Sequence, residues 1–208
     1  IIFSLGLILG FFLESRQSNN IYSRLVDSEL NILDEQLRQR IISDNNVSCS
    51  IAKGSLFSFA DKIYSEASLL EEIDGTGRLD DLTILHRRYD LLRTLVFMEA
   101  NSLKKRCGGD FHVVTYFYLY NNEDIDVKSR QNYFSRLVFD LKSDNSEKIV
   151  LIPIAVDTNV KSVEVLVDSL DMNVYPAILI DDRERITDLI TLDELSDLVF
   201  NNSDKLTD

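Results

Sequence analysis

Val174-Tyr175-Pro176-Ala177-Ile178-Leu179-Ile180-Asp181 (VYPAILID) is the stretch on which the fold turns. An apolar run opened by a proline and closed by the acidic turn Asp181-Asp182-Arg183 reads as a strand buried on both faces. Proline cannot donate to a ladder, so Pro176 is tolerable only at or near the first residue of such a strand. Downstream, Arg185–Ile190 reads as a short return strand. Thr191 then caps a helix over Leu192–Phe200, with Asp193 and Glu194 in its first turn, where the helix dipole favours acids. Upstream, Lys148–Asp157 (KIVLIPIAVD) and Phe111–Tyr120 (FHVVTYFYLY) are two further buried strands, the first followed by a helix around Val160–Leu170. Between those two strands, Tyr133, Leu137, Val138 and Leu141 mark a helix over about Val127–Lys142. Pro153 weighs against a central place for its strand.

The order β-α-β-α-β-β-α gives two parallel strands joined by a helical crossover, then an antiparallel hairpin and a covering helix. At Val156-Asp157 and at Val174-Tyr175-Pro176 this resembles the thioredoxin-like superfamily over about ninety residues. The resemblance implies a cis Tyr175–Pro176 bond and a peptide-binding groove beside Tyr175 and Pro176. It departs from the family where a redox Cys-x-x-Cys would stand. Asn121-Asn122-Glu123-Asp124-Ile125-Asp126-Val127-Lys128 holds no cysteine, and its acids disfavour a thiolate. Thiol–disulfide exchange at the family site is thereby excluded, and glutathione binding loses its footing. A receiver- or flavodoxin-like doubly wound sheet is the alternative fold. It rests on Glu123, Asp124 and Asp126 alone and needs more βα units than this length supplies.

The N-terminal half has a different rhythm. Ile1–Leu13 (IIFSLGLILGFFL) carries no charge, and thirteen helical residues span roughly 20 Å of a roughly 30 Å hydrocarbon core. With no initiating methionine, residues 1–14 read as the end of a transmembrane helix, an N-terminally incomplete anchor. A signal-peptide core and a buried helix are the alternatives. Gly6 and Gly10 form a small-xxx-small pair for membrane packing. Residues 15–109 read as a helical stalk or antiparallel bundle. Tyr22, Val26, Leu30, Leu33, Leu37 and Ile41 lie on one helix face. Ala52, Leu56, Phe59, Ile63, Leu70 and Ile73 mark a second helix, and Leu82, Leu85, Tyr89, Leu92 and Val96 a third. Asp74-Gly75-Thr76-Gly77 breaks the second, and Asp80 and Asp81 start the third. Gly108-Gly109 stop it after Lys104-Lys105-Arg106. His86-Arg87-Arg88 reads as helix surface, and His112 as isolated.

Cys49 and Cys107 lie 27 residues before and 31 residues after Thr76. A hairpin centred there brings them within about 6 Å of level, close enough for a structural disulfide. Two buried thiols and a redox pair are the other readings. Such a bond implies an oxidising, extracytoplasmic side. The sequons Asn46-Val47-Ser48 and Asn201-Asn202-Ser203 fit that side but occur readily by chance.

From Asp110 onward 20 acids face 9 bases, or −11, against 15 and 13, or −2, before it. This acidity repels nucleic acid and anionic lipid headgroups. No metal cluster, phosphate loop or catalytic constellation can be named from spacing, so no cofactor is expected. The reading that results is a membrane-anchored, single-pass, extracytoplasmic, non-catalytic protein that binds a protein partner or itself. The alternative is a disulfide-handling enzyme using Cys49 and Cys107.

Overall fold

A computed structural model describes residues 30, 33–38, 40–42, 47–74, 82–108 and 111–201. The chain divides into two compact units, Ile1–Asn46 and Val47–Asp208. In the first, the described residues are helical, and Arg38 Nε donates to Glu35 Oε2 at 2.9 Å, one turn away. Leu30, Leu33, Leu37 and Ile41, a face expected to be buried, are exposed.

Among the described residues no helix is long and apolar enough to cross a membrane. The two longest helices have the length, at 26 residues each, but carry charges along it, from Lys53 and Asp61 in one to Arg87, Asp90 and Arg93 in the other. The transmembrane helix expected over 1–14, with its Gly6–Gly10 packing pair, lies outside the described residues. A single-pass, membrane-anchored and extracytoplasmic placement of the chain is therefore not supported. What stands is a mixed α/β fold.

The second unit begins with a helical hairpin, α1 (Cys49–Asp74) and α2 (Leu82–Cys107). The turn expected around Gly75–Gly77, the start at Asp80–Asp81 and Gly109 fall outside the described residues. The hairpin is closed at its open end by a Cys49–Cys107 disulfide, with Cα atoms 5.8 Å apart. Then follow β1 (His112–Tyr118), α3 (Ile125–Asp144), β2 (Ile149–Ala155), α4 (Lys161–Ser169), β3 (Ala177–Ile180), β4 (Glu184–Ile186) and α5 (Leu192–Phe200).

The strands form one sheet in the order β2-β1-β3-β4, parallel between β1 and β2 and antiparallel elsewhere. Alternation along each strand sorts the side chains onto two faces. Val114, Tyr116, Leu151, Ile178, Ile180 and Ile186 pack with Phe134, Leu137, Val138 and Leu141 of α3 and with Leu195 and Val199 of α5. The opposite set, Val113, Thr115, Phe117, Val150, Ile152, Ile154 and Leu179, is buried as well. On that side α2 lies against β1 and β2, with α4 beside it. Each large apolar side chain so buried contributes roughly 2 kcal/mol. Of the stretch expected to be a stalk, α1 and α2 thus pack on the sheet as one layer of a three-layer unit.

Pro153 pairs with Tyr116 on an edge strand, which answers the objection to it. His112 N donates to Lys148 O and Val156 N to Tyr118 O, so the even-numbered residues of β2 make the ladder and the odd ones face outward. Three of those outward groups have partners of their own, and a fourth position has no donor. Ile149 N donates to Asn145 O, and Ile149 O accepts from Lys142 Nζ at 2.9 Å. Pro153 has no N–H to leave open. Ala155 N donates to the carboxylate of Asp90 on α2. Asp61–Lys142 at 3.4 Å and the stacked rings of Tyr64 and Phe139 tie α1 to α3 past this edge. A bare edge invites pairing with another chain, and here the hairpin covers it.

Candidate functional site

The corner where β1 runs into α3 is the place a redox pair would occupy. Its backbone donors are taken by acids and amides. Asp157, just after β2, accepts from Tyr120 N at 2.6 Å and from Asn121 N at 2.8 Å, one on each carboxylate oxygen. Asp124 caps α3 by accepting from Asp126 N and Val127 N, while Asn122 Oδ1 accepts from Asp124 N. The acidic run is thus local capping chemistry.

The β1–β3 ladder shows what remains open. Asp181 N donates to Val113 O, which sets Thr115 opposite Leu179 and Phe117 opposite Ala177 as hydrogen-bonded pairs. Leu119 and Tyr175 come next in that register. Leu119, however, is satisfied by the side chain of Gln131, whose Oε1 accepts from Leu119 N at 2.8 Å and whose Nε2 donates to Leu119 O at 3.1 Å. The hydroxyl of Tyr116 donates to Gln131 O and holds that turn of α3 in place. Tyr175 is left without its ladder partner.

Around it, Pro176 is buried, Val174 is exposed, and the Tyr175–Pro176 bond is cis. The phenol of Tyr175 donates to Met172 O at 2.6 Å. Burial first, and the Asp168 charge second, push its pKa up. Arg185 on β4 donates to Leu170 O and Asp171 O at the end of α4, so the segment leading into Tyr175 is pinned.

The first half of α2 closes the same end of the sheet. His86 packs on the Tyr120 ring with centroids 4.0 Å apart, and Arg87 donates to Asn159 O at 3.1 Å. Asp90 is 1% exposed and accepts from Ala155 N at 3.1 Å and Thr158 Oγ1 at 2.8 Å. Burial, helped by the nearby Asp157 charge, raises its pKa despite Arg93 and the two hydrogen bonds.

His86 was expected on the surface and is buried. It begins a polar row, His86, Asp90, Arg93 and Thr94, that repeats at helical spacing beside the apolar row Tyr89, Leu92 and Val96. Two rows buried on one helix are the signal that α2 is covered on two sides, by α1 and by the sheet. His112, expected to be isolated, contacts Asp181 Oδ2 through Nδ1 at 2.8 Å. The disulfide lies at the other end of α2, with Cys49 exposed and Cys107 half-buried. Tyr175, Pro176, Cys49 and Cys107 therefore do not form one site. Among the described residues no three or more His, Cys, Asp or Glu side chains gather as metal ligands would. No protein-family model and no curated protein matches this sequence.

Proposed function

We propose that residues 111–200 form a thioredoxin-like domain without redox chemistry, which binds a partner protein through an extended segment laid against Tyr175. The observation that carries this reading is Gln131 occupying both backbone groups of Leu119, so that Tyr175 stands at the end of β3 with its ladder position vacant. An extended peptide adds to a sheet by supplying that missing partner. The strand order β2-β1-β3-β4, the cis bond before Pro176 and the exposed Val174 support it. The chemistry of the corner fits binding and not turnover, since Asp157, Asp124 and Gln131 are all committed to backbone.

The test is capture by the immobilised chain, followed by amide-exchange mapping of the complex. A partner that protects the amides of Val174 and Tyr175, and that Tyr175→Ala weakens, supports the reading. If nothing co-purifies reproducibly and the chain does not self-associate, or if protection falls elsewhere, the reading is lost.

A disulfide-handling activity is the second reading. Its support is the exposure of Cys49 and a hollow of about 600 Å³ bordered by both cysteines, Lys53 and Phe111. Cys49→Ser with Cys107→Ser separates the two: lost stability alone marks a staple, and lost thiol exchange marks catalysis.

A further inference from the structure

A cavity of about 440 Å³ lies at the β2 edge, where α1, α2 and α3 come together beside Leu151 and Pro153. That size is within the range of about 300–1,000 Å³ typical of small-molecule sites. Neither Tyr175 nor Pro176 lines it.

Arg93 lines this cavity and is 6% exposed. Its nearest anion is Asp90, with Nη1 3.6 Å from Oδ1, and both oxygens of that carboxylate already accept from Ala155 N and Thr158 Oγ1. Arg93 Nε is buried and has no hydrogen-bond partner. A guanidinium has five donors in a fixed plane and cannot shed its charge, so burying one with a donor unmet is costly and calls for an acceptor. Arg136 of α3, an exposed residue, also lines the cavity. Arg136 belongs to the stretch from Asp110 onward, whose net charge is −11.

The walls are aromatic. Tyr116 and Tyr118 stack with centroids 5.4 Å apart and planes 14° apart, and Tyr64 and Phe139 stack at 6.5 Å and 24°. All four rings line the cavity. The hydroxyl of Tyr116 is already committed to Gln131 O, which leaves the rings to act through their faces and edges.

From this arrangement we infer that the cavity binds a small planar aromatic compound bearing an oxyanion, a carboxylate or a phosphate. The oxyanion accepts from Arg93 and Arg136, and the ring lies among the tyrosines. Planar guanidinium groups match such oxyanions by paired hydrogen bonds. The inference is independent of the peptide site at Tyr175.

The experiment is a calorimetric and NMR titration of the whole chain with phenyl phosphate, benzoate, benzamide and inorganic phosphate. Phenyl phosphate or benzoate binds and shifts the ring resonances of Tyr116 and Tyr118, and the tighter of the two identifies the head group. Benzamide lacks the charge and inorganic phosphate lacks the ring; each binds at least about tenfold more weakly. Arg136→Gln, on an exposed position, leaves the fold intact and weakens binding about tenfold, and Arg93→Lys, which keeps charge but loses the planar fork, weakens it at least as much. If Arg93→Lys fails to fold, Arg136→Gln decides alone. The inference is overturned if neither aromatic anion binds at millimolar concentration, if benzamide binds as well as benzoate, or if Arg136→Gln leaves the affinity unchanged.

Discussion

Helix α2 is joined to the sheet twice, by the buried Asp90 and by the half-buried Asp181, and the two joints are built in opposite senses. Near its start the helix supplies the carboxylate. Asp90 receives Ala155 N and the Thr158 hydroxyl, with Arg93 too far to neutralise it well. Near its end the sheet supplies the carboxylate. Asp181 receives Lys104 Nζ at 2.5 Å, Val113 N at 2.8 Å and the His112 ring at 2.8 Å, while Lys104 also donates to Phe111 O. Burial pushes both pKa values up. At Asp90 burial prevails; at Asp181 the hydrogen bonds from His112, Lys104 and Val113, with the Lys104 charge, outweigh it and hold the group below the usual aspartate range. The same side chain is thus a pH-sensitive cost at one joint and a pH-sensitive gain at the other. Desolvation is common to both, and what differs is the number of donors brought to meet the charge.

The disulfide lies close to the second joint, and its removal is the strongest disturbance. Cys49→Ser with Cys107→Ser opens a loop spanning a sequence separation of 58 residues. The chain-entropy argument sets its contribution at about 4 kcal/mol. Thermal or urea unfolding checks this, and amide exchange should rise first around Leu103–Cys107, ahead of Asp90. A loss under about 1 kcal/mol would show that the hairpin is held by packing alone.

Breaking the first joint comes next. Asp90→Ala leaves Ala155 N, Thr158 and Arg93 unmet in the core and costs about 3 kcal/mol. Asp90→Asn keeps an acceptor for Ala155 N and donates to the Thr158 hydroxyl, so its cost is about 1 kcal/mol or less. Because the folded pKa of Asp90 is raised, wild-type stability from this group falls as pH climbs from about 4 through that pKa. Urea melts at several pH values should show Asn gaining on Asp in that direction. A constant gap would refute the uncompensated charge.

The second joint gives the smallest effect. Asp181→Asn loses about 1–2 kcal/mol at neutral pH, a figure lowered for the solvent that reaches the site. The folded pKa of Asp181 is depressed, so its contribution is present above about pH 4 and is lost as pH falls below that value. Wild type and variant should converge in acid. If they converge in alkali instead, the account of this joint is wrong.

The strands were legible in the sequence because they are buried on both faces and so read as unbroken apolar runs, Phe111–Tyr120 and Lys148–Asp157. The last helix was legible to the residue, Leu192–Phe200, because Thr191 and Glu194 spell a capping box that the structure forms. Strand ends were not. Val174–Asp181 shortens to Ala177–Ile180 because Gln131 satisfies Leu119 where Tyr175 would have paired. The expected Arg185–Ile190 ends at Ile186, and Thr187 O just beyond accepts from Arg130 of α3. The two joints were invisible for a simpler reason. Asp90 meets residues 65 and 68 positions away, and His112 meets Asp181 69 positions away, so no local pattern betrays them. The polar row on α2 was there to be read, but charged residues on a helix are mostly solvated, and that expectation hid it.

The piecemeal closure of β2 has a consequence for how the protein could be divided. Asn145 and Lys142 shield only the entry to that strand, and the remainder depends on a proline and on two helices that precede it in the chain. A fragment beginning at Phe111 would look like a self-sufficient domain on paper. It would nevertheless shed the lid over Ile152 and Ile154 and return Ala155 N to the open. Such a piece would meet its own copies edge to edge, so the smallest autonomous folding length includes the hairpin.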